Sequence, residues 1–547
     1  MRDTAHAMSQ QNVEIVRQGM RAFLANDFET WFAVTDPACR LYPRPEEPGV
    51  KECYEGWDEM LAYLANWFSG WKEYTGEPVR FMDSGDWVVV EIEEVGVAEN
   101  GMRIQQRFAH AFRLENGKGV EWRMFGPVEE AFEALRLTAQ PTVAAADVDL
   151  AEVDLMDPKW FADGPPHELF ARMRREAPVR WNALPDGSGF WSLTRHADIA
   201  AVSRDYDTWS SWRTGIFLNP DQVVPLDLTR NLLLYKDPPE HTKYRAILQK
   251  AFTPHTVAKL EDEARAIVTR TLDDVVAKGS CDFARDIAVP VPLTVLAALM
   301  GLPAEDIPKL YEWTEQIEAA QRAPEPAAAA DVFVEMAGYL HEQIRRQAEQ
   351  GSRDSLVMQL RGAEVDGERL DDSEILVFFG LLVFAGNDTT RNTAAAGMRA
   401  LLEHPDQLRS LVEDPAGIPA AVEEILRWTS VVNWFARTAK VDTEIAGRPI
   451  AEGDKVVMWY SSGSRDEAVF DDPQRFDVTR PKPDHQAFGG GGRHFCLGAG
   501  LARLELRVLF EEVLRRMPDI ALAGAPHVLP SSWAHMVDRL PVRFSGA

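Results

Sequence analysis

Cysteine is scarce in this chain of 547 residues: the only four are Cys39, Cys53, Cys281 and Cys496, and they lie far apart. Four scattered cysteines exclude a disulfide framework and a structural zinc site, because both need clustered or regularly spaced thiols. A reducing cytoplasm is therefore the expected compartment. The first eleven residues also lack the apolar core of a signal peptide, which favours the same location.

Long apolar runs and an excess of positive charge are missing as well. The longest strongly apolar stretch covers about residues 375–385, which is shorter than the roughly 18 residues needed to span a bilayer. The formal net charge is −28, and such an acidic balance disfavours binding to nucleic acid or to anionic membranes. The sequence thus predicts a soluble protein that has neither of these partners.

The apolar fraction of 46% and the 16 tryptophans are enough for more than one hydrophobic core. Residues 138–147 form a small-residue segment with a proline, which is typical of a linker. This segment predicts two domains, over residues 1–137 and 148–547.

The first domain is expected to be an α+β cone, a curved antiparallel sheet with helices around an apolar pocket. Its periodicity predicts helices early in the chain and strands near 87–97, 103–114 and 120–125. The second domain is expected to be mainly α-helical with small β-sheets. Its long helices are predicted near residues 256–278, 329–350, 372–403 and 497–517.

One loop combines a run of glycines, two basic residues and a cysteine: residues 488–498 read FGGGGRHFCLG. Glycines allow the backbone to turn tightly and to approach a flat ligand. Arg493 and His494 lie just before Cys496, and a cationic pair there suits a cofactor that carries carboxylates. A helix is expected directly after the loop, with its N-terminus placed to stabilise a thiolate.

An acid and an alcohol interrupt the apolar helix predicted over 372–403. Asp388 and Thr389 are adjacent there, and Gly386 leaves space for a small ligand. Burying these polar groups is unfavourable unless they are paired or used. Two interpretations are open: a solvated break between two helices, or a proton relay to a bound oxygen species.

Further charged residues are spaced for pairing. His241 and Arg245 lie four residues apart on one helical face, where they are able to hold a carboxylate, and Arg437 is another candidate for that role. Glu424-Ile-Leu-Arg427 places a carboxylate and a guanidinium three residues apart on a helix. Arg475 is expected to complete a buried charge network with this pair.

With these four motifs in this order, residues from about 148 to 547 resemble a bacterial cytochrome P450, a haem-thiolate monooxygenase. The resemblance implies haem b as the cofactor and Cys496 as the axial ligand of its iron. It implies that Asp388 and Thr389 deliver protons during oxygen activation, in a groove that includes Ala385 and Gly386. The residues that it implies around the haem and its propionates are His241, Arg245, Arg437, Phe488 and His494.

The loop departs from the family pattern at one position. The family's aromatic residue lies seven residues before the cysteine, whereas here that position is Gly489 and Phe488 lies eight before. A subset of bacterial members carries such a shifted loop. The segments 386–392 and 456–460 look most like members that act on steroids, terpenoids and branched lipids. Substrate contacts are expected from residues 209–234, from a lid around 313–330 and from 431–434.

Residues from about 9 to 137 resemble the SnoaL-like polyketide cyclase family, which has the nuclear transport factor 2 cone fold. The resemblance is carried by Asn26-Asp-Phe28, Tyr54-x-Gly56, Asp83-x-Gly-Asp-Trp-Val-Val89, residues 106–112 and Trp122. That family includes cyclases, isomerases, dehydratases and inactive modules. His110 and Asp83 are the conceivable acid–base residues of the cone. An accessory role is the expectation: dimerisation, substrate presentation or shaping access to the haem pocket.

The sequence therefore predicts a cytoplasmic enzyme that inserts one atom of O₂ into a C–H bond of a small apolar molecule, such as a terpenoid, steroid, lipid or natural-product intermediate. Electrons are expected from a separate ferredoxin and its reductase, docked near Arg245, Lys250, Arg493 and Arg503. Two enzymatic alternatives stay open. One is oxidative coupling or desaturation, and the other is a bifunctional enzyme whose first domain catalyses cyclisation or dehydration. A haem sensor is disfavoured, because a sensor needs no proton relay.

Overall fold

The structure is a computed structural model. It describes residues 12–13, 15–23, 27–44, 50–51, 53–68, 71–84, 87–98, 103–115, 117–126, 128–135, 148–184, 187–218, 230–322, 330–351, 355–481 and 483–545. The chain divides into two compact units: Met1–Val148, here called the cone unit, and Asp149–Ala547, here called the helical unit. The predicted linker 138–147 lies outside the described residues, so its bounds stay a prediction.

The cone unit is built on a six-stranded sheet with the spatial order β2-β1-β6-β5-β4-β3. The strands are β1 Thr35–Tyr42, β2 Tyr54–Glu55, β3 Trp71–Ser84, β4 Trp87–Ala98, β5 Arg103–Glu115 and β6 Lys118–Phe125. Neighbouring strands are antiparallel except for the parallel pair β1 and β6. The predicted α+β class is confirmed. The strands β1, β2 and β3 were not predicted from the periodicity.

Helices cover both faces of this sheet. They are Phe28–Val34, Gly56–Phe68, Val128–Ala134 and the helical residues 15–23. Val88 and Val90 of β4 pack against Val16 and Met20 from the first helix. The other face packs on the helix Val128–Ala134. Because both faces are covered, the centre of β4 is continuously apolar and does not alternate.

The helical unit consists mainly of α-helices. They are His167–Glu176, His196–Arg204, Glu240–Gln249, Pro254–Ala258, Glu261–Val276, Pro290–Met300, Ile307–Arg322, Ala330–Glu349, Leu356–Arg361, Asp372–Glu403, Pro405–Glu413, Ile418–Thr429, Tyr460–Gly463 and Ala499–Arg516. Shorter helical turns cover Leu150–Glu152, Pro158–Phe161, Leu233–Tyr235, Phe283–Ala288, Ala304–Asp306 and Pro415–Gly417. The four long helices predicted for this unit are present, with the first divided near residue 260.

Small sheets complete the helical unit. The largest has the spatial order Val179–Ala183, Gly189–Leu193, Lys455–Trp459, Trp434–Ala439, Trp209–Ser210. A three-stranded sheet contains Ser280–Asp282, Pro541–Arg543 and Ala521–Leu522. Three two-stranded ribbons pair Glu364–Val365 with Glu368–Arg369, Thr443–Ile445 with Arg448–Ile450, and His527–Leu529 with Met536–Arg539.

The longest helix, Asp372–Glu403, passes through the core of this unit and is here called the long helix. A capping box starts it, in which the Asp371 side chain accepts from the Glu374 N–H and the Glu374 carboxylate accepts from the Asp371 N–H. The helix continues through Gly386 without interruption. The interpretation of this stretch as a solvated break between two helices is therefore wrong.

One segment, Phe283–Met300, is long and apolar enough to cross a membrane by length and composition. No such run was expected from the sequence. About 61% of the segment is buried inside the protein, and Phe283, Ile287 and Val291 belong to the main hydrophobic core. The burial of this segment indicates that it is part of the core of the helical unit.

Candidate active site

A cavity of about 1120 Å³ lies inside the helical unit. The long helix, the loop that contains Cys496 and the segment after the helix Ile418–Thr429 all contribute to its wall. The lining is mainly apolar and includes Phe217, Leu218, Phe333, Phe384, Trp434 and Trp533. A cavity of this size and character suits a large flat cofactor together with a small apolar molecule.

The glycine run before Cys496 is required by the shape of its loop. Gly489, Gly491 and Gly492 have φ values of 93°, 92° and 74°, which favour glycine over residues with a side chain. A Cβ atom on Gly490 would lie 2.4 Å from the Ser203 Oγ. The loop closes when the Cys496 N–H donates to the Phe488 carbonyl at 3.1 Å. The glycines thus hold Cys496 at the cavity wall, where Gly489, Gly490 and Gly491 also lie.

The thiol of Cys496 has opposing influences on its pKa. Burial raises it, and this is the largest effect. The N–H groups of Gly498 and Ala499 and the guanidinium groups of Arg245 and Arg503 lower it. The N-terminus of the helix Ala499–Arg516 therefore favours a thiolate as expected, but burial outweighs it and the net shift of the pKa is upward.

Four groups that are cationic or able to become so surround one part of the cavity: His241, Arg245, Arg437 and His494. The rings of His241 and His494 are 4.1 Å apart. Burial and the neighbouring guanidinium groups lower the pKa of His241 to about 4, and burial holds that of His494 well below its usual range. Burial also lowers the pKa values of both arginines.

This cationic cluster fits a ligand that brings negative charge. Both ring nitrogens of His241 are buried and have no hydrogen-bond partner in the described part of the chain. A buried polar group without a partner is unfavourable by about 1–3 kcal/mol. Two carboxylates placed here would satisfy His241 and balance the arginines. The residues present therefore fit the two propionates of haem b.

The long helix places Thr389 at the cavity together with Ala385 and Gly386. The Thr389 hydroxyl donates to the Ala385 carbonyl at 2.8 Å. Asp388 is 6% exposed and lies beside the cavity wall rather than among the residues that form it. Its carboxylate is 3.2 Å from the Arg391 guanidinium. Thr389 thus lies at the cavity, whereas the carboxylate of the adjacent Asp388 contacts Arg391.

The buried charge network of the helical unit contains a different arginine from the one predicted. Arg427 donates two hydrogen bonds of 2.7 Å to Glu424, and both side chains are fully buried. Arg480 donates to the same carboxylate at 3.1 Å. The Arg475 side chain is 62% exposed and pairs with Asp477. The prediction for Arg475 was wrong: its backbone carbonyl accepts from Arg427, but its side chain points to solvent.

Each of the three regions expected to contact substrate contributes some, but not all, of its residues to the cavity wall. Ile216, Phe217 and Leu218 line it, whereas Trp212 is 39% exposed. Val431, Val432 and Trp434 line it, because Ser430 ends the preceding helix with φ 34° and turns the chain inward. Asn433 is buried elsewhere and donates to the Ser532 carbonyl. Residues 219–229 lie outside the described part of the chain.

The region around residues 313–330 was predicted to be a loop, but residues 313–322 belong to the helix Ile307–Arg322. Trp313 lies in Ile307–Arg322 and is packed in the core, while Ile317 reaches the cavity. Residues 323–329 lie outside the described residues. Phe333 and Trp533 line the cavity too. These two were not predicted, because aromatic residues in a helix and in a C-terminal loop carry no signal that separates a cavity from a core.

Glu505 is a further acid at the cavity that was not predicted. It is 4% exposed, and burial raises its pKa well above the usual range. The available signal was an acid between two leucines, Leu504 and Leu506, on the helix Ala499–Arg516.

The four basic residues expected to contact a redox partner differ in their exposure and in their contacts within the protein. Arg503 pairs with Glu423 and stacks 4.6 Å from the Phe488 ring. Arg245 is half-buried and donates to the Phe495 carbonyl at 2.7 Å. Arg493 and Lys250 are exposed. Exposed positive charge among these four residues is thus provided by Arg493 and Lys250.

Comparisons with known proteins agree with this geometry. The family model described as Cytochrome P450 matches residues 418–517, and the model described as SnoaL-like domain matches residues 16–122. A methyl-branched lipid omega-hydroxylase of Mycobacterium tuberculosis is 39% identical over 422 residues, which are 75% of this chain and 97% of that protein. A steroid C26-monooxygenase of the same species is 36% identical over 72% of this chain and 93% of its own length.

Among solved structures, a cytochrome P450 of Mycobacterium marinum in complex with pseudoionone aligns with a TM-score of 0.67. The two proteins are 35% identical, and the alignment covers 72% of this chain and 98% of that one. All three relatives therefore cover a length close to that of the helical unit, about three quarters of the chain.

Proposed function

The chain belongs to the cytochrome P450 family of haem-b monooxygenases, and from this membership we propose that it hydroxylates a small apolar molecule of the branched-lipid, steroid or terpenoid class. The observation that carries the proposal is the mainly apolar cavity of about 1120 Å³ that contains both Cys496 and a cationic cluster. Relatives that act on methyl-branched lipids and steroids support the substrate class.

The residues around the cavity are proposed to have different roles. Cys496 is proposed as the iron ligand, and His241, Arg245, Arg437 and His494 as the partners of the haem propionates. Phe488, Ala385 and Gly386 lie at the same cavity and are proposed to contact the haem or the space above it. When bound, the haem supplies the oxidation of a C–H bond by O₂ and two electrons.

The protein's own contribution to the reaction is to move protons and to exclude water. Thr389 is at the cavity wall, so its hydroxyl is proposed to pass a proton into the cavity. Asp388 is proposed to resupply that proton, which requires its carboxylate to leave Arg391. The aromatic lining keeps bulk water out and orients the substrate by shape.

The proposal also includes the source of electrons, the cellular compartment and the role of the cone unit. Electrons are proposed to come from a separate ferredoxin and its reductase, for which the exposed Arg493 beside Cys496 offers a contact. The compartment is proposed to be the cytoplasm. The cone unit is proposed to be accessory to the oxidation and to contribute to dimer formation.

The first experiment is the spectrum of the reduced, CO-treated protein. Thiolate ligation predicts the red-shifted absorption typical of the family, and Cys496→Ser is expected to lose it. If the intact protein failed to show this absorption, the assignment of Cys496 would be wrong. Substrates are then found from the haem spin-state shift, with methyl-branched fatty acids and steroids as the panel. A product heavier by one oxygen supports hydroxylation, whereas loss of two hydrogens or a dimeric product supports desaturation or coupling.

A further inference from the structure

One lysine of the helical unit is mostly buried without an ion pair to a carboxylate of the described residues. Lys455 is the first residue of the strand Lys455–Trp459, and burial lowers the pKa of its ammonium group to about 8. The group is therefore mostly charged at neutral pH. A buried ammonium is unfavourable unless its N–H groups are hydrogen-bonded. The contacts of Lys455 thus indicate why this position holds a lysine.

Lys455 holds the backbone of a segment that forms part of the haem cavity wall. Its Nζ donates to the carbonyl of Phe217 at 2.9 Å and to that of Leu218 at 3.0 Å. Phe217 and Leu218 both line the cavity, whereas Lys455 is not among the lining residues. Lys455 therefore acts on the shape of the cavity without contacting its contents.

The rest of the segment is fixed to the same sheet. The Ala436 N–H donates to the Ile216 carbonyl at 2.9 Å, and the hydroxyls of Thr214 and Thr438 are 2.6 Å apart. The strand pairing places Thr438 directly opposite Lys455. Three consecutive carbonyls of the segment are thus held by two paired strands. Lys455 holds two of the three through its side chain, so one substitution removes both attachments and leaves the strand pairing intact.

The Phe217 ring connects the aromatic residues of the cavity wall. Its centre lies 6.3 Å from that of Trp434, 5.9 Å from that of Phe435 and 5.9 Å from that of Trp533. Trp533 in turn stacks on Phe384 of the long helix at 5.9 Å. All five residues line the cavity. Because such ring contacts depend on distance and orientation, the position of Phe217 determines the shape of this wall.

We propose that Lys455 is a positioning residue for substrate selection: its ammonium group fixes the backbone of Phe217 and Leu218, and thereby the Phe217 ring in the aromatic wall. The ligands that depend on it are those with a flat or branched apolar group large enough to reach this wall. The inference rests on the proposed function, because it concerns the same cavity. A methionine at position 455 has a similar volume but donates no hydrogen bond, so the wall would lose its fixed position.

The test compares two nitrogen ligands of the iron in the full-length, haem-loaded protein. Imidazole is the small probe, and clotrimazole is the large probe, because its three aryl rings reach the wall. Both are titrated by the shift of the haem absorption. Lys455→Met is expected to leave the affinity for imidazole unchanged and to weaken that for clotrimazole about tenfold, which is about 1.4 kcal/mol.

Two failures of this experiment are distinguishable. Unchanged or raised affinity of Lys455→Met for clotrimazole would overturn the role of Lys455. If the wild type bound neither probe, the haem site of the proposed function would be wrong as well, and the CO spectrum would report this independently.

A double variant shows whether Lys455 acts through Phe217. Phe217→Ala should also weaken clotrimazole binding, because it removes the ring from the wall. The variant with both changes should bind no more weakly than Phe217→Ala alone, since the ring that Lys455 positions is already absent. Full additivity of the two losses would refute this route. Lys455→Arg keeps the charge and the donors and should bind clotrimazole within about threefold of the wild type; a loss as large as that of Lys455→Met would contradict the role of the hydrogen bonds.

Lys440→Met is the matched control. Lys440 is also half-buried, and its Nζ donates to the Tyr206 carbonyl at 2.6 Å, but neither residue lines the cavity. Its affinity for clotrimazole should equal that of the wild type. Urea unfolding followed by the haem absorption separates positioning from a role in the fold. The midpoint of Lys455→Met should match that of Lys440→Met, whereas a lower midpoint together with weaker imidazole binding would assign Lys455 to the fold instead.

Discussion

Arg427 is the residue whose loss the helical unit should tolerate least. Its side chain is fully buried and makes two 2.7 Å hydrogen bonds to Glu424. It also donates to the carbonyls of Ser464, Pro473 and Arg475 at 3.0–3.2 Å. Arg427→Met removes all five hydrogen bonds and leaves a buried carboxylate with Arg480 as its remaining arginine partner. Breaking a buried pair from one side lowers stability by about 3–5 kcal/mol.

The assay is urea unfolding of the haem-loaded protein, followed by the haem absorption so that the helical unit alone is reported. With a slope of about 3 kcal/mol per M, the midpoint should fall by about 1–1.7 M. The matched control is Arg475→Met, because this side chain is 62% exposed and an exposed ion pair is worth about 0–1 kcal/mol. Equal midpoints for the two variants would show that the network does not support the fold as described.

Three more predictions concern the site. In the haem-free protein, His241 has a pKa of about 4 in the fold against 6.5 when unfolded, so the unfolded state binds the extra proton between these values. Stability should therefore fall by up to about 3 kcal/mol as the pH drops from 6.5 to 4, and urea unfolding of His241→Gln should show a shallower pH dependence. Asp388→Asn should slow product formation about 100-fold or more, with substrate binding unchanged in the spin-state titration. Thr389→Ala should continue to consume reductant but form less product from it. If both variants formed as much product per reductant consumed as the wild type, the proton relay would be contradicted. Arg437→Met should speed haem transfer to apomyoglobin by tenfold or more, because it removes one charge-assisted hydrogen bond, and an unchanged rate would remove Arg437 from the propionate site.

The sequence predicted best where a motif is local. The loop around Cys496 and the segment 385–392, which carries Asp388 and Thr389, each span only about ten residues, so their spacing alone indicates how they fold. Prediction failed where a partner comes from far away. Arg475 and Arg480 are close to each other but far from Glu424 in the sequence, and which of them turns inward depends on packing against Glu424.

The same limit applies to the cavities. Trp533 and Phe333 reach the haem cavity from separate parts of the chain, and nothing local marks them. Glu94, which lines a small cavity of the cone unit, did carry a signal, an acid at an inward position of a strand. This signal became readable only when the pairing of β3, β4 and β5 fixed which residues share a face with the apolar residues 88, 90 and 92, because a shift of one residue would have moved the acid to the opposite face.

Two buried clusters of charge in the helical unit differ in a way that separates structure from function. Around Arg427, each guanidinium of the network has a carboxylate or carbonyl partner within 3.2 Å. Around His241, burial and the guanidinium groups of Arg245 and Arg437 lower the pKa values of His241 and His494, and His241 has no hydrogen-bond partner among the described residues.

A cluster whose charges are all paired stabilises the fold, whereas a cluster that is short of negative charge is stabilised by a ligand that supplies that charge. The haem should therefore raise the unfolding midpoint of the wild type more than that of a variant that lacks Arg437.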